Sequence, residues 1–437
     1  MKKLLLAAAA LALFAGCSQD RTGILKVYNW SDYIDESVIP EFEQWYEAET
    51  GEKVKVIYQT FDINETMLSK IEKGHEDYDV VCPSDYIIEQ MLQQDLLLPI
   101  GRDFGKTPNY IDDNLSPYIR DQFDKMDGGG KNANDYSVGY MWGTTGILYN
   151  AKYVTDEEAS TWDVIKNPKF KDKIFIKDSA RDVYSQIILK IHEKELEGLS
   201  GEELTREMDR LMRFTSDDDL KAVENYMKEV KDLVAGWEAD FGKDQMVQEQ
   251  GWVNLTWSGD AVWAIEEAAE LGVDLRFALP KEGFTVWFDG WVIPKYAKNT
   301  KAARYWINFM SRPDIVQRNV DVTGYVSSSG AAEVMDYFAD EEAFDPIDVS
   351  YFFGEEADSV ALDPVLYPAR EDIERSTMEH YWGTNTPKLN EMWSRIKCDN
   401  ATSMTWIILG AVAVVAVIAV LAFRSRKSRR HRSRKRR

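Results

Sequence analysis

Six short motifs gather aromatic, polar and acidic residues within a few positions of one another: Asn29-Trp30-Ser31-Asp32-Tyr33, Ser84-Asp85-Tyr86, Ser179-Ala180-Arg181-Asp182, Trp257-Ser258-Gly259-Asp260, Trp287-Phe288-Asp289 and Gly324-Tyr325. Their chemistry suits an aliphatic diammonium. An ammonium stripped of water needs carboxylate or carbonyl acceptors. Indole and phenol faces attract cations, by about 0.5 to 2 kcal/mol each, and the same faces cover a methylene chain. Arg181 is the only basic residue inside the motifs, so little is on hand to hold a ligand carboxylate, and Arg181 is expected to pair within the protein. Plainer readings remain open. Ser179 with Asp182 also fits a capping box, Ser258 or Asp260 also fits a helix cap, and any one of Trp30, Trp257 and Trp287 also fits a core. Asp289 is harder to dismiss. It stands in an aromatic strand with Trp287, Phe288 and Trp291, where an unpartnered charge is costly.

Catalytic signatures fail on inspection. Gly101-Arg102-Asp103-Phe104-Gly105-Lys106-Thr107 is one residue short of a phosphate loop, and Pro108 disfavours the helix that should follow. Its internal Asp103-Phe104-Gly105 has no partner kinase motifs around it. His192-Glu193 begins a zinc-protease pattern, but Leu196 stands where the second histidine belongs. The four histidines, His75, His192, His380 and His431, are scattered and read as solvent-facing. The expectation is a binding protein and not an enzyme, with no cofactor and no metal.

The elements that must position these motifs alternate. Leu25–Tyr28, Lys53–Tyr58 and Tyr78–Cys82 read as strands, with helices over Val38–Tyr46, Met67–Lys73 and Ile87–Leu97 between and after them. A second block starts near Tyr136, with strands at Ile174–Ile176 and Val253–Trp257 and helices at about Ser179–Lys194 and Ala261–Leu271. A long helix ends near Val322. This βαβα pattern predicts an α/β fold with a largely parallel sheet. Five of the six motifs fall at the carboxyl ends of strands or after helices, where open α/β sheets place ligands. Two such lobes joined by crossing strands form a cleft, and small ligands favour domain junctions.

The formal net charge is −23. Ten Lys and Arg lie in residues 424–437, so the body before them carries ten negative charges more, −33. That body repels nucleic acid and attracts cations. The N-terminus, with Lys2-Lys3, the apolar run Leu4–Phe14 and Ala15-Gly16-Cys17, has the form of a secretory signal with a cysteine at the cut. The pattern is that of a bacterial lipoprotein, and it predicts lipidation of Cys17. Met404–Phe423 is twenty residues without a charge, long enough to span a bilayer core as a helix. The basic tail after it should stay cytoplasmic, leaving the body on the other side of the membrane. Cys82 reads as a buried small hydrophobe; nothing in the sequence supports a Cys82–Cys398 bridge.

Seven stretches, three of them overlapping the motifs above, carry a family resemblance. Tyr28-Asn29-Trp30-Ser31-Asp32-Tyr33, Asn64-Glu65-Thr66, Tyr78-Asp79-Val80-Val81 with Pro83-Ser84, Tyr140-Met141-Trp142-Gly143, Trp257-Ser258-Gly259-Asp260, Pro280-Lys281-Glu282-Gly283 and Arg312-Pro313-Asp314 resemble the spermidine/putrescine-binding proteins of bacterial polyamine ABC transporters, in order over most of residues 24–372. The resemblance implies a two-lobed periplasmic-binding-protein fold (type II-like) with crossing hinge strands, here followed by one C-terminal transmembrane helix. The implied organisation is a signal over 1–17, one lobe from 24–138 and 290–328, the other from 139–289 and 329–397, a membrane helix over 404–423 and the basic tail over 424–437.

The resemblance makes Trp30, Tyr33, Tyr86, Trp257, Trp287 and Tyr325 an aromatic box, Ser31 and Ser84 its polar lining, and Asp32, Asp182, Asp260 and Asp289 the ammonium partners. Glu379 is implied near the cleft. The implied partners are putrescine or spermidine, an ABC permease with its ATPase, and the membrane through the lipid anchor and the helix, without nucleic acid. The chain departs from spermidine-preferring members at Ser179, where they carry an acid, so putrescine is expected to bind at least as tightly as spermidine. The C-terminal helix, which members usually lack, leaves a second reading: a membrane-anchored polyamine sensor signalling through that helix.

Overall fold

The structure is a computed structural model that describes residues 21–398. The expected lipidation at Cys17, the apolar segment 404–423 and the basic tail lie outside these residues. Among the described residues no helix is long and apolar enough to cross a membrane.

Twelve strands form one sheet system: β1 (Ile24–Trp30), β2 (Lys55–Phe61), β3 (Val80–Val81), β4 (Leu97–Leu98), β5 (Ser137–Asn150), β6 (Ile174–Lys177), β7 (Val234–Glu238), β8 (Val253–Trp257), β9 (Leu275–Ala278), β10 (Phe284–Pro294), β11 (Val326–Ser327) and β12 (Ser376–Met378). The main path runs β2-β1-β3-β10-β5-β8-β6-β7. Each end of it is parallel: β1 pairs with β2 and β3, and β6 pairs with β7 and β8. The two parallel triples are joined by β5 and β10, which run antiparallel to each other. β5 pairs with β10 over Ser137–Thr144 and then with β8 over Thr145–Tyr149. A 14-residue strand is long enough to belong to both halves, and it is buried along nearly its whole length, its polar residues Ser137, Thr144, Thr145 and Asn150 included.

Helices pack on these triples with the expected periodicity. In Val38–Thr50, the residues Val38, Phe42 and Tyr46 are buried at four-residue spacing. Gly51 ends that helix in the left-handed region, φ 73°, where glycine carries no Cβ penalty. One core cluster, including Leu25, Phe42, Trp291 and Trp306, lies under the β1 triple. A larger one runs from Ile87 and Phe123 through Phe288 to Ile174 and Ile187, and so passes through both halves. Cys82 is buried in the first cluster, as expected, Cys398 is exposed, and both thiols are free.

Two helices differ from their expected lengths. The stretch read as Ser179–Lys194 is a helix over Ala180–Ile191 and a short one over Glu193–Leu196, broken at His192, whose ring bonds Glu195 and Asp219. The long helix ending near Val322 is two, Thr300–Met310 and Pro313–Thr323. Pro313 takes the first position of the second, where its missing N–H costs nothing, whereas inside a continuous helix it breaks the ladder.

Candidate functional site

The motifs converge where the two parallel triples face each other across β5 and β10. Trp30 ends β1, Ser84 precedes the helix Asp85–Gln93 after β3, Ser179 caps the helix after β6, and Trp257 ends β8. Tyr325 follows the helix Pro313–Thr323, while Trp287 and Asp289 lie within β10. All but the β10 pair thus sit at strand carboxyl ends or just after a helix, as the sequence indicates.

Asp289 is the centre of one end. It is 5% exposed, and a register shift between Asp289 and Gly290 re-aims it. Its Oδ2 accepts from the Tyr33 hydroxyl at 2.8 Å and its Oδ1 from the Ser84 hydroxyl at 2.7 Å. Ser84 in turn accepts from the Asn64 amide, which also donates to the Tyr86 hydroxyl. Among the described residues no Lys or Arg pairs with Asp289. Burial pushes its carboxyl up to about 6, against the lowering effect of the two hydroxyl donors.

Aromatic rings lead from this carboxylate to the other half. The Tyr33 ring meets Tyr325 edge-on with centroids 5.4 Å apart, and Tyr325 meets Trp287 at 5.5 Å. Two glycines make room for these rings. A Cβ on Gly259 would lie 2.3 Å from the Tyr325 ring, and one on Gly143 would lie 2.4 Å from the Trp287 ring.

Asp260 differs from the expectation of an open ammonium acceptor. Its Oδ2 takes the Lys177 ammonium at 2.6 Å, and its Oδ1 takes Lys243 at 3.0 Å and the Tyr325 hydroxyl at 3.2 Å. Burial alone would raise its carboxyl, but the two ammonium groups outweigh that and hold it below the usual range. Ser258 does not cap its helix; its hydroxyl accepts from the Thr144 N–H.

Asp182 opens the helix Ala180–Ile191, where Ser179 accepts its N–H at 3.3 Å. The carboxylate is turned toward β5 and β8, accepting from Trp257 Nε1 at 3.0 Å and from Thr145 at 3.5 Å. Only half of the capping box is therefore present. Arg181 pairs within the protein, as expected: it donates to the His380 carbonyl at 2.6 Å, lies 4.0 Å from Glu379 and stacks 4.0 Å over the Tyr86 ring. Glu379 is buried and accepts from Ser185. Burial and the nearby Asp182 raise its carboxyl to about 8, with Arg181 opposing.

Nine of the twelve expected ligand residues are thus linked by direct contacts or through Asn64, Lys177 and Arg181. Trp30, Ser31 and Asp32 stand apart. Trp30 packs on Phe61, Ser31 is exposed and donates to Asp62, and Asp32 is exposed in left-handed backbone, φ 51°.

The histidine reading needs correction. His380 is 1% exposed and held between Glu89 at 2.7 Å and Asp209 at 2.5 Å. Its partners come from distant segments, which no local pattern reveals. Lys177 escaped sequence reasoning for the same reason, while the Asn64-Glu65-Thr66 motif had already marked Asn64.

This assembly can hold cations and the apolar stem between them. The family model described as bacterial extracellular solute-binding protein matches residues 42–346. The chain belongs to that family. It is 28% identical over 397 residues to the spermidine/putrescine-binding periplasmic protein of Escherichia coli (strain K12), covering 90% of this chain and 97% of that one. It is 29% identical over 347 residues to a putrescine-binding periplasmic protein of the same organism, covering 75% and 84%. Among solved structures, a putative spermidine/putrescine ABC transporter protein from Listeria monocytogenes superimposes with TM-score 0.66 at 30% identity, covering 86% of this chain and 99% of that one. This solute-binding protein thus has the α/β periplasmic-binding fold that its sequence predicts, with a mixed sheet in place of the expected largely parallel one because β5 and β10 run antiparallel to their neighbours on the main path, and the candidate site lies on the β5/β10 crossing.

Proposed function

We propose that this protein captures a linear diamine or polyamine, putrescine or spermidine, between its two lobes and delivers it to an ABC permease with its ATPase. The observation that carries the reading is Asp289, a buried carboxylate amid aromatic rings that, among the described residues, accepts only from the neutral Tyr33 and Ser84 hydroxyls. A buried charge with neutral partners alone is expensive, and a ligand ammonium supplies what it lacks. The names of the similar proteins point to the same ligands. The role is binding without chemical change. Export with lipidation at Cys17 and a membrane helix over 404–423 would keep the body on the outer face, beside its permease, with the tail in the cytoplasm.

Titration calorimetry of the protein with putrescine, spermidine, arginine and glutamate tests the reading. Saturable heat is expected for at least one of the two polyamines. Tight binding of glutamate with no heat from either polyamine sinks it.

A further inference from the structure

A lysine of the protein stands where the resemblance places a ligand ammonium. Lys177 ends β6 and its side chain is 1% exposed. Its Nζ lies 2.6 Å from Asp260, 2.6 Å from the Ala239 carbonyl, 3.2 Å from Glu238 and 4.1 Å above the Trp257 ring. Carboxylate, carbonyl and indole face are the three kinds of group that a desolvated ligand ammonium requires. Among the described residues Asp289 and Asp182, by contrast, accept only from the neutral groups of Tyr33, Ser84, Trp257 and Thr145.

Resting on the polyamine reading, we infer that Lys177 is a specificity-determining residue: a built-in ammonium that fills the Asp260 subsite and limits the cleft to ligands with two ammonium groups, one for Asp289 and one for Asp182. The charges at that subsite balance. Lys177 and Lys243 face Asp260 and Glu238, two cations against two acids. A third ligand ammonium arriving there would meet spent acceptors and a like charge at low dielectric. It cannot exchange with Lys177, which is covalently tied to β6. The same arrangement alters the reading of Asp260: the acid expected to take a ligand ammonium is here neutralised from within.

Lys177→Met keeps most of the stem and removes the ammonium, leaving one cation against two acids. Calorimetry of the full chain with putrescine and spermidine reads the outcome. In the parent, putrescine is expected to bind at least as tightly as spermidine. In Lys177→Met, the ratio of spermidine to putrescine affinity is expected to rise at least about tenfold. Lys177→Met with Glu238→Gln restores one cation against one acid, which guards against misfolding of the single variant; its ratio is expected to rise at least about threefold. A ratio within about twofold of the parent in whichever variant melts cooperatively overturns the inference, as does a parent that prefers spermidine about tenfold. A parent that binds neither amine overturns the polyamine reading itself, and this inference with it.

Discussion

The Tyr33 hydroxyl donates to Asp289 at 2.8 Å across 256 positions of sequence, tying the loop after β1 to the middle of the crossing strand β10. The bond orients one carboxylate oxygen, as Ser84 orients the other. Both donors are neutral, so the charge itself is left for a cation. Asp289→Asn keeps an amide of the same shape that can still bond both hydroxyls. We expect it to lower polyamine affinity by tenfold or more, since a hydrogen bond to a charged group is worth roughly 1.5 to 3 kcal/mol. Asp182→Asn should lose less, because that carboxylate is only partly buried and water can stand in for the lost partner. Calorimetry on the two variants checks the order; equal affinity of Asp289→Asn and parent would remove Asp289 from the site.

Affinity should also depend on pH. The Asp289 carboxyl titrates at about 6 in the folded protein, raised by burial. A ligand ammonium selects the ionised form, so binding carries a proton release below that value. The dissociation constant is expected to be flat just above pH 7 and to rise as pH falls through about 6, approaching tenfold per unit. Asp289→Asn should flatten this segment of the profile. A parent profile that stays flat from pH 7 to pH 5 is the contrary result.

Space for the aromatic box is set by two glycines. Gly259→Ala would place a Cβ 2.3 Å from the Tyr325 ring, which is itself confined by Tyr33 and Trp287. Overpacking of this kind costs about 1 to 3 kcal/mol. The expected outcome is a folded protein with a lower melting temperature and weaker polyamine binding. Unchanged affinity would show that the position of the Tyr325 ring does not matter to the ligand.

Much of the fold and of the candidate site is legible in the sequence because its signals are local. β1, β2, β6 and β8 announce themselves as short β-branched or aromatic runs, and the motifs at their ends announce the cleft. Asp289 stood out because a charge inside an aromatic strand has no local explanation. Lys177 did not, because it looks like the polar residue that ends an apolar strand. Its partners Glu238 and Asp260 are 61 and 83 positions away, and only the pairing of β6 with β7 and β8 brings them near it. The burial of His380 is hidden for the same reason, with Glu89 and Asp209 at separations of 291 and 171. Long-range charge pairing leaves no periodicity to read.

His380 carries the last prediction. Its ring joins Glu89, on the helix Asp85–Gln93 after β3, to Asp209, on the helix Gly201–Leu211 between β6 and β7. Other charged groups around this segment include Arg181, which donates to the His380 carbonyl, the buried Glu379, and Arg213, 3.4 Å from Asp209. Burial would lower the imidazole pKa, but Asp209 and Glu89 outweigh it and raise it above 6.5, while Asp209 is held down at about 2. A basic group whose folded pKa is raised contributes stability in full below its unfolded value, here 6.5, and loses it as pH rises through the folded value. His380→Gln removes the cation and leaves the buried Glu89 charge without its cationic partner, beside the backbone donors of Asp127 and Tyr381. Breaking a buried pair in this way costs about 3 to 5 kcal/mol. The melting temperature of His380→Gln should therefore fall furthest below that of the parent near pH 6, and the gap should narrow toward pH 9 as the parent loses its own imidazolium. Melting curves of the two proteins between pH 6 and pH 9 measure the gap, and one that widens with pH would mean that His380 is neutral in the folded protein and packs there only as a ring.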